Sequence, residues 1–270
     1  MSAVATFGPL QTADRLYTMV KSLSEFDKME VRGVIETLLS TSDRERCFIG
    51  TYHRTTANIA TLLELKQPRH FQAVAMLARG LFELAVDIRL IDAIPDGPRK
   101  ILEFTDVEKL RCARRVLRFK AANPAAEVDT TIYSSFVANN ENRIDAAKSM
   151  LWPTTKSVSH WSGLKLPARV ALVKSPFEEI YEVNYPQLSW YVHSGLTGVV
   201  NLKAETFTLV CGSAFKLAAD AYWEVLITMI REFKIAKANE KIEGKLKAAK
   251  LLPFTDTPEQ VKQLLEALTR

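Results

Sequence analysis

Arg79 and Glu83 stand four residues apart in a stretch, Phe71 to Ile91, that is otherwise mostly apolar. At about 100° per residue they share one narrow polar line with Gln72 and Asp87, so the two can pair along a helix. A desolvated Arg–Glu pair is either a structural tie between helices or the charged lining of a pocket, because buried charge is costly unless something uses it. A second row is formed by Tyr181, Tyr185, Ser189 and His193, again four apart. His193, followed by Ser194 and Gly195, falls in the expected last turn, where the helix dipole favours a protonated ring. It serves either as a capping group or as a general acid–base.

Three further sets carry charge. His160-Trp161-Ser162-Gly163-Leu164-Lys165 lies in an irregular stretch. Trp161 there is a loop anchor, or a pocket wall with Lys165 or His160 reaching a polar ligand. Arg111, Arg114, Arg115 and Arg118 follow i, i+3, i+4, i+7 and span about 100° of a helix, opposite Leu110, Ala113 and Leu117. No acidic residue is expected on that stripe, which suits contact with phosphates. Lys234, Lys237, Lys241 and Lys245, interleaved with Glu240 and Glu243, read as a solvated face.

Other chemistries are excluded by pattern. There is no Walker loop, GxGxxG, HExxH or GxSxG. The histidines at 53, 70, 160 and 193 lack metal-ligand spacing, and the cysteines at 47, 112 and 211 form no CxxC. No metal or cofactor is therefore expected. A net charge of +5 permits a polyanionic partner without requiring one.

The elements that hold these residues read as helices. With 47% hydrophobic and 25% charged residues, the 270-residue chain has a globular composition. Helical spacing predicts segments at roughly 8–22, 25–39, 43–66, 69–94, 98–122, 126–151, 176–194, 204–235, 236–250 and 257–269. Capping boxes are read at Ser42/Glu45, Thr105/Glu108, Ser175/Glu178 and Thr257/Gln260. Pro176 and Pro258 suit first helical positions, and Pro186 should kink its helix. Strands are not expected, and residues 152–175 form the main irregular stretch. The fold class is thus all-α: a single bundle over 1–235, centred on the 69–94 helix, with a Lys-rich helical appendage at 236–270.

Met1 to Leu10 has no signal-peptide pattern. The longest uncharged run, Asn184 to Leu202, holds Pro186, Gln187, His193 and Asn201, which are costly in lipid. A cytoplasmic protein with no membrane association is expected.

The Arg79-x-x-x-Glu83 helix, the Trp161-x-Gly163 loop and Tyr185-x-x-x-Ser189-x-x-x-His193-Ser194 together resemble a bacterial helical family known as domain of unknown function 5677, over roughly residues 45–200. The arrangement is also similar to the HEPN helical bundles. Many of those are metal-independent ribonucleases of toxin and phage-defence systems, often dimeric, with an Arg-x(4–6)-His motif. Here the three positions where that Arg would stand hold Leu188, Gln187 and Pro186. The resemblance implies a ribonuclease in which His193 is the acid–base, Arg79 steadies phosphorane charge and Glu83 orients Arg79. Tyr185, Ser189, Ser194, Trp161 and Lys165 would line its substrate site, and the Arg111/Arg114/Arg115/Arg118 stripe would hold RNA. The other expectation is a non-catalytic module binding a small anionic ligand or a regulatory partner protein. The resemblance also implies a homodimer; Phe207, Leu209, Phe215, Leu217, Tyr222, Trp223, Leu226, Ile227 and Ile230 point in several directions from the 204–235 helix, which reads either as a dimer face or as a second core helix.

Overall fold

The computed structural model describes residues 9–39, 42–155, 157–192, 204–238 and 240–254. Among them the chain is all-α, with helices and turns and no strand. The helices are α1 (Pro9–Phe26), α2 (Arg32–Thr37), α3 (Asp43–Glu64), α4 (Phe71–Leu90), α5 (Gly97–Ala122) and α6 (Thr131–Leu151), then α7 (Leu166–Val173), α8 (Phe177–Val183), α9 (Tyr185–Val192), α10 (Ala204–Glu232), α11 (Ile235–Ala238) and α12 (Ile242–Leu251).

They group into two compact units. The first comprises the described parts of Met1–Ser40, Phe48–Arg89 and Val173–Arg270, and the second those of Thr41–Cys47 and Leu90–Leu172. In the first unit α1 lies along α10, with Gly212 facing Ala13. Tyr17 meets Phe215 edge to face, with ring centroids 5.4 Å apart. The described part of the segment after residue 235 belongs to this unit, where α12 packs on α1 and its Ile242 and Leu246 are buried. On α10, Phe215, Leu217, Tyr222, Leu226, Ile227 and Ile230 are buried within the chain, whereas Leu209 is exposed.

Helix α4 is buried on most of its circumference, as its run of apolar residues requires: Val74, Ala75, Ala78, Leu81, Phe82 and Ala85 have no exposed surface. Its helical part stops at Leu90, short of the expected residue 94, where turns begin. The break expected between residues 22 and 25 is not there. Helix α1 instead runs on through a π turn at Asp27–Val31 into α2. The 176–194 helix is divided at Asn184, just before Pro186, whose ring removes a ladder bond. The irregular 152–175 stretch contains one helix, α7.

The capping boxes divide likewise. At Ser42 the box is formed: the Glu45 amide donates to Ser42 Oγ (3.1 Å) and the Ser42 amide to Glu45 Oε2 (3.2 Å). Thr105 and Glu108 lie inside α5, which begins eight residues earlier at Gly97. At α8 the N-cap is Pro176 itself, without a side-chain cap, after a cis Ser175–Pro176 bond. The Thr257/Gln260 box, with the 257–269 helix, lies outside the described residues.

In the second unit α5 and α6 form a helical hairpin over a core of Val107, Leu110, Ile144, Leu151, Trp152 and Val158. The 152–165 loop is pinned to it by the Trp152 indole N–H, which donates to the Trp161 carbonyl at 2.9 Å. Gly163 follows at φ +75°, where an L side chain is disfavoured. At Gly97 the constraint is steric: a Cβ would stand 2.1 Å from the Ile91 carbonyl oxygen, a backbone atom that cannot move aside. Gly97→Ala should therefore destabilise by about 2–3 kcal/mol, read from the denaturant midpoint; an unchanged midpoint contradicts the turn geometry.

Candidate functional site

The first-unit candidates converge on one phenol. Arg79 Nη2 donates to Tyr185 Oη at 2.9 Å, and that hydroxyl donates onward to Glu83 Oε1, also at 2.9 Å. The Arg79 guanidinium lies over the Tyr185 ring, 4.7 Å from its centroid. Glu83 therefore reaches Arg79 through Tyr185, an intermediary the four-residue spacing did not reveal. The Tyr185 ring is itself packed on Phe82 and Tyr181, at 5.4 and 5.3 Å. Burial raises the Tyr185 pKa; Arg79 acts to lower it and Glu83 to raise it. The phenol thus stays protonated at neutral pH and can pass a hydrogen bond but supplies no charge.

Arg79 Nε is buried without a hydrogen-bond acceptor among the described residues. The Ser189 hydroxyl donates back to the Tyr185 carbonyl at 3.1 Å, so it is spent on its own helix. His193 and Ser194 lie outside the described residues.

The second-unit candidates separate into a loop and a cleft. Trp161 is buried against the loop and Lys165 is exposed, so Trp161 acts as an anchor. Beside it, Arg169 Nη1 lies 2.9 Å from His160 Nε2. The other ring nitrogen, Nδ1, lies 2.8 Å from Ser162 Oγ and 3.2 Å from the Ser162 amide nitrogen, which donates to it. The ring is thereby tied at both nitrogens.

The Arg stripe borders a cleft of about 610 Å³ between α5, α6 and the following loop. Its floor is apolar: Val107, Leu110, Leu117, Ile144 and Val158. Its walls carry Arg111, Arg114, Arg118 and Lys148, with Asp145 as the acidic member. The expectation of a stripe free of acidic neighbours is corrected here. Arg114 is held by Glu141 (2.6 Å) and Asp145 (2.5 Å) of α6, and Arg111 pairs with Glu108 one turn back on α5. These carboxylates raise the Arg114 pKa and keep that guanidinium ionised. Arg118 and Arg115 are exposed and have no ion pair among the described residues; Arg118 borders the cleft and Arg115 does not.

Sequence reasoning missed one cluster altogether. Asp27, wholly buried in the π turn, accepts from Tyr52 Oη at 2.5 Å and from Arg32 Nη2 at 2.8 Å. Five residues on an α-helix would turn Asp27 and Arg32 about 140° apart, but a π turn brings i and i+5 together. The i, i+5 Asp–Arg spacing was the available signal. Burial, reinforced by the Asp27 charge, pushes the Tyr52 and Tyr222 phenols well above their usual range.

Among the described residues, no group of three or more His, Cys, Asp or Glu could hold a metal ion, and no helix is long and apolar enough to cross a membrane. No family model, curated protein or solved structure gives a significant match to the chain.

Proposed function

We propose that the protein is a binding module for a phosphate-bearing ligand of nucleotide size, seated in the α5–α6 cleft. The cleft itself carries this reading. Its volume of about 610 Å³ falls in the range of small-ligand sites, and it combines an apolar floor with an arginine wall. A flat ring gains from covering Leu117, the part-exposed apolar residue of the lining, and a phosphate gains from the planar donors of Arg118 and Arg111. Arg114, fixed by two carboxylates, holds its wall rigid rather than offering unused charge.

Titration of the full chain with the four ribonucleoside 5′-monophosphates, in EDTA, tests the proposal. Binding by at least one is expected, with its unphosphorylated nucleoside weaker by about tenfold or more, as loss of a charge-assisted contact predicts. No binding, or equal binding of the nucleoside, overturns it.

The exposed Arg115 favours a second reading, in which basic surface continues past the cleft and the ligand is RNA. Charge reversal at Arg115 should then weaken a short single-stranded RNA while leaving a mononucleotide unaffected. The ribonuclease form of this reading assigns acid–base work to His193 and charge stabilisation to Arg79, with Glu83 acting through Tyr185. Cleavage of RNA in EDTA, abolished in His193→Ala, supports it; cleavage unchanged by that substitution rejects the assignment.

A further inference from the structure

A separate cleft of about 350 Å³ lies in the first unit, beside α10 and α12 and bordered by Arg89 and Pro176. Glu224 opens onto it while only 9% exposed. Its carboxylate accepts no hydrogen bond from the described residues, and the nearest cation, Arg89 Nη2, is 4.0 Å away. A carboxylate so nearly buried lacks the donors that normally offset its desolvation. Burial accordingly holds the Glu224 carboxyl above its usual pKa.

The neighbouring charges are mostly committed. Arg231 is held by both oxygens of Glu243, at 3.0 and 3.1 Å. Lys250 bonds Asp220 at 2.7 Å and lies over the Trp223 ring. Lys247 is exposed and has no ion pair among the described residues. The cleft therefore presents a nearly buried carboxylate whose ion pair with the part-exposed Arg89 is long, at 4.0 Å, and a second cation, Lys247, without an anion among the described residues, against the apolar Ile227 and Pro176. A simple cation would be repelled by Arg89 and Lys247, and a dianion by Glu224. A ligand carrying one charge of each sign satisfies both.

We infer that this cleft binds a free α-amino acid, its ammonium on Glu224, its carboxylate on Arg89 and Lys247, and its side chain against Ile227 and Pro176. The ammonium supplies the N–H donors that Glu224 lacks, and the guanidinium of Arg89 can meet the carboxylate with two of its own. This inference is independent of the α5–α6 cleft.

Calorimetric titration of the full chain with each of the twenty L-amino acids, one at a time, is the test. At least one should bind in the micromolar to low-millimolar range. Its affinity should fall by about tenfold or more in Glu224→Gln and in Lys247→Glu, the scale of a lost charge-assisted bond. The matching decarboxylated amine and deaminated acid should each bind as poorly. Lys247 is exposed, so its variant keeps the test valid if Glu224→Gln does not fold. The inference is overturned if none of the twenty binds. Undiminished binding in Lys247→Glu, or equal binding of the deaminated acid, overturns it too.

Discussion

Arg32→Met should destabilise the protein by about 3 kcal/mol, measured by denaturant unfolding. The substitution removes the cation from the Asp27 carboxylate, which has no exposed surface, and leaves it facing the neutral Tyr52 and Tyr222 phenols. Breaking a buried ion pair from one side costs roughly 3–5 kcal/mol. The lower end applies because the Arg32 side chain is itself 32% exposed, so solvent already screens the pair. In Asp27→Asn/Arg32→Met the stranded charge is gone, and most of the loss should be recovered. A double variant no better than Arg32→Met would show that Arg32 acts through packing instead. The same cluster sets the alkaline limit. The Tyr52 and Tyr222 phenols are raised by burial, so their folded pKa values exceed the unfolded value near 10. Their stabilising contribution is complete below about pH 10 and is lost as the pH rises beyond it. Tyr52→Phe should flatten that alkaline decline.

Arg118→Glu should weaken nucleotide binding by about 100-fold without changing the unfolding midpoint. Arg118 borders the cleft, is exposed and has no ion pair among the described residues, so its removal disturbs no internal contact. Reversal removes a charge-assisted bond and opposes the phosphate with a carboxylate, together about 2–3 kcal/mol. Raising the salt concentration should narrow the difference between the two proteins, because an exposed charge is screened. Arg114→Ala is a different case: it leaves Glu141 and Asp145 facing each other unneutralised, so affinity and stability should fall together.

The residues differ in how plainly the sequence disclosed their roles. Helix α4 and the arginine stripe were legible because helical period alone determines them: an apolar run wide enough to be buried, and four arginines at i, i+3, i+4, i+7. Pro186 was equally plain, since its ring disrupts a helix in any context, and α8 and α9 part just before it. The Ser42 box and the Thr105 box look alike in sequence, yet only the first stands at a helix start. The difference lies in the turn from Ile91 to Asp96, which makes α5 begin at Gly97. Partners remote in sequence were not legible. Glu141 and Asp145 reach Arg114 from 27 and 31 residues away, and Tyr185 enters between Arg79 and Glu83 from more than 100. Those contacts follow from packing rather than from period. Asp27 was hidden for another reason: a π turn changes which residues share a face, and the apolar pattern continues across it.

The occupancy of the α5–α6 cleft can be measured most directly by amide hydrogen exchange, with and without a saturating ribonucleoside monophosphate. Slower exchange is expected in peptides covering residues 107–118 and 144–158, where the bound ring and phosphate restrict opening of both walls. Exchange unchanged in these segments, or protection confined to Phe71–Leu90 and Tyr185–Val192, would contradict ligand binding in this cleft.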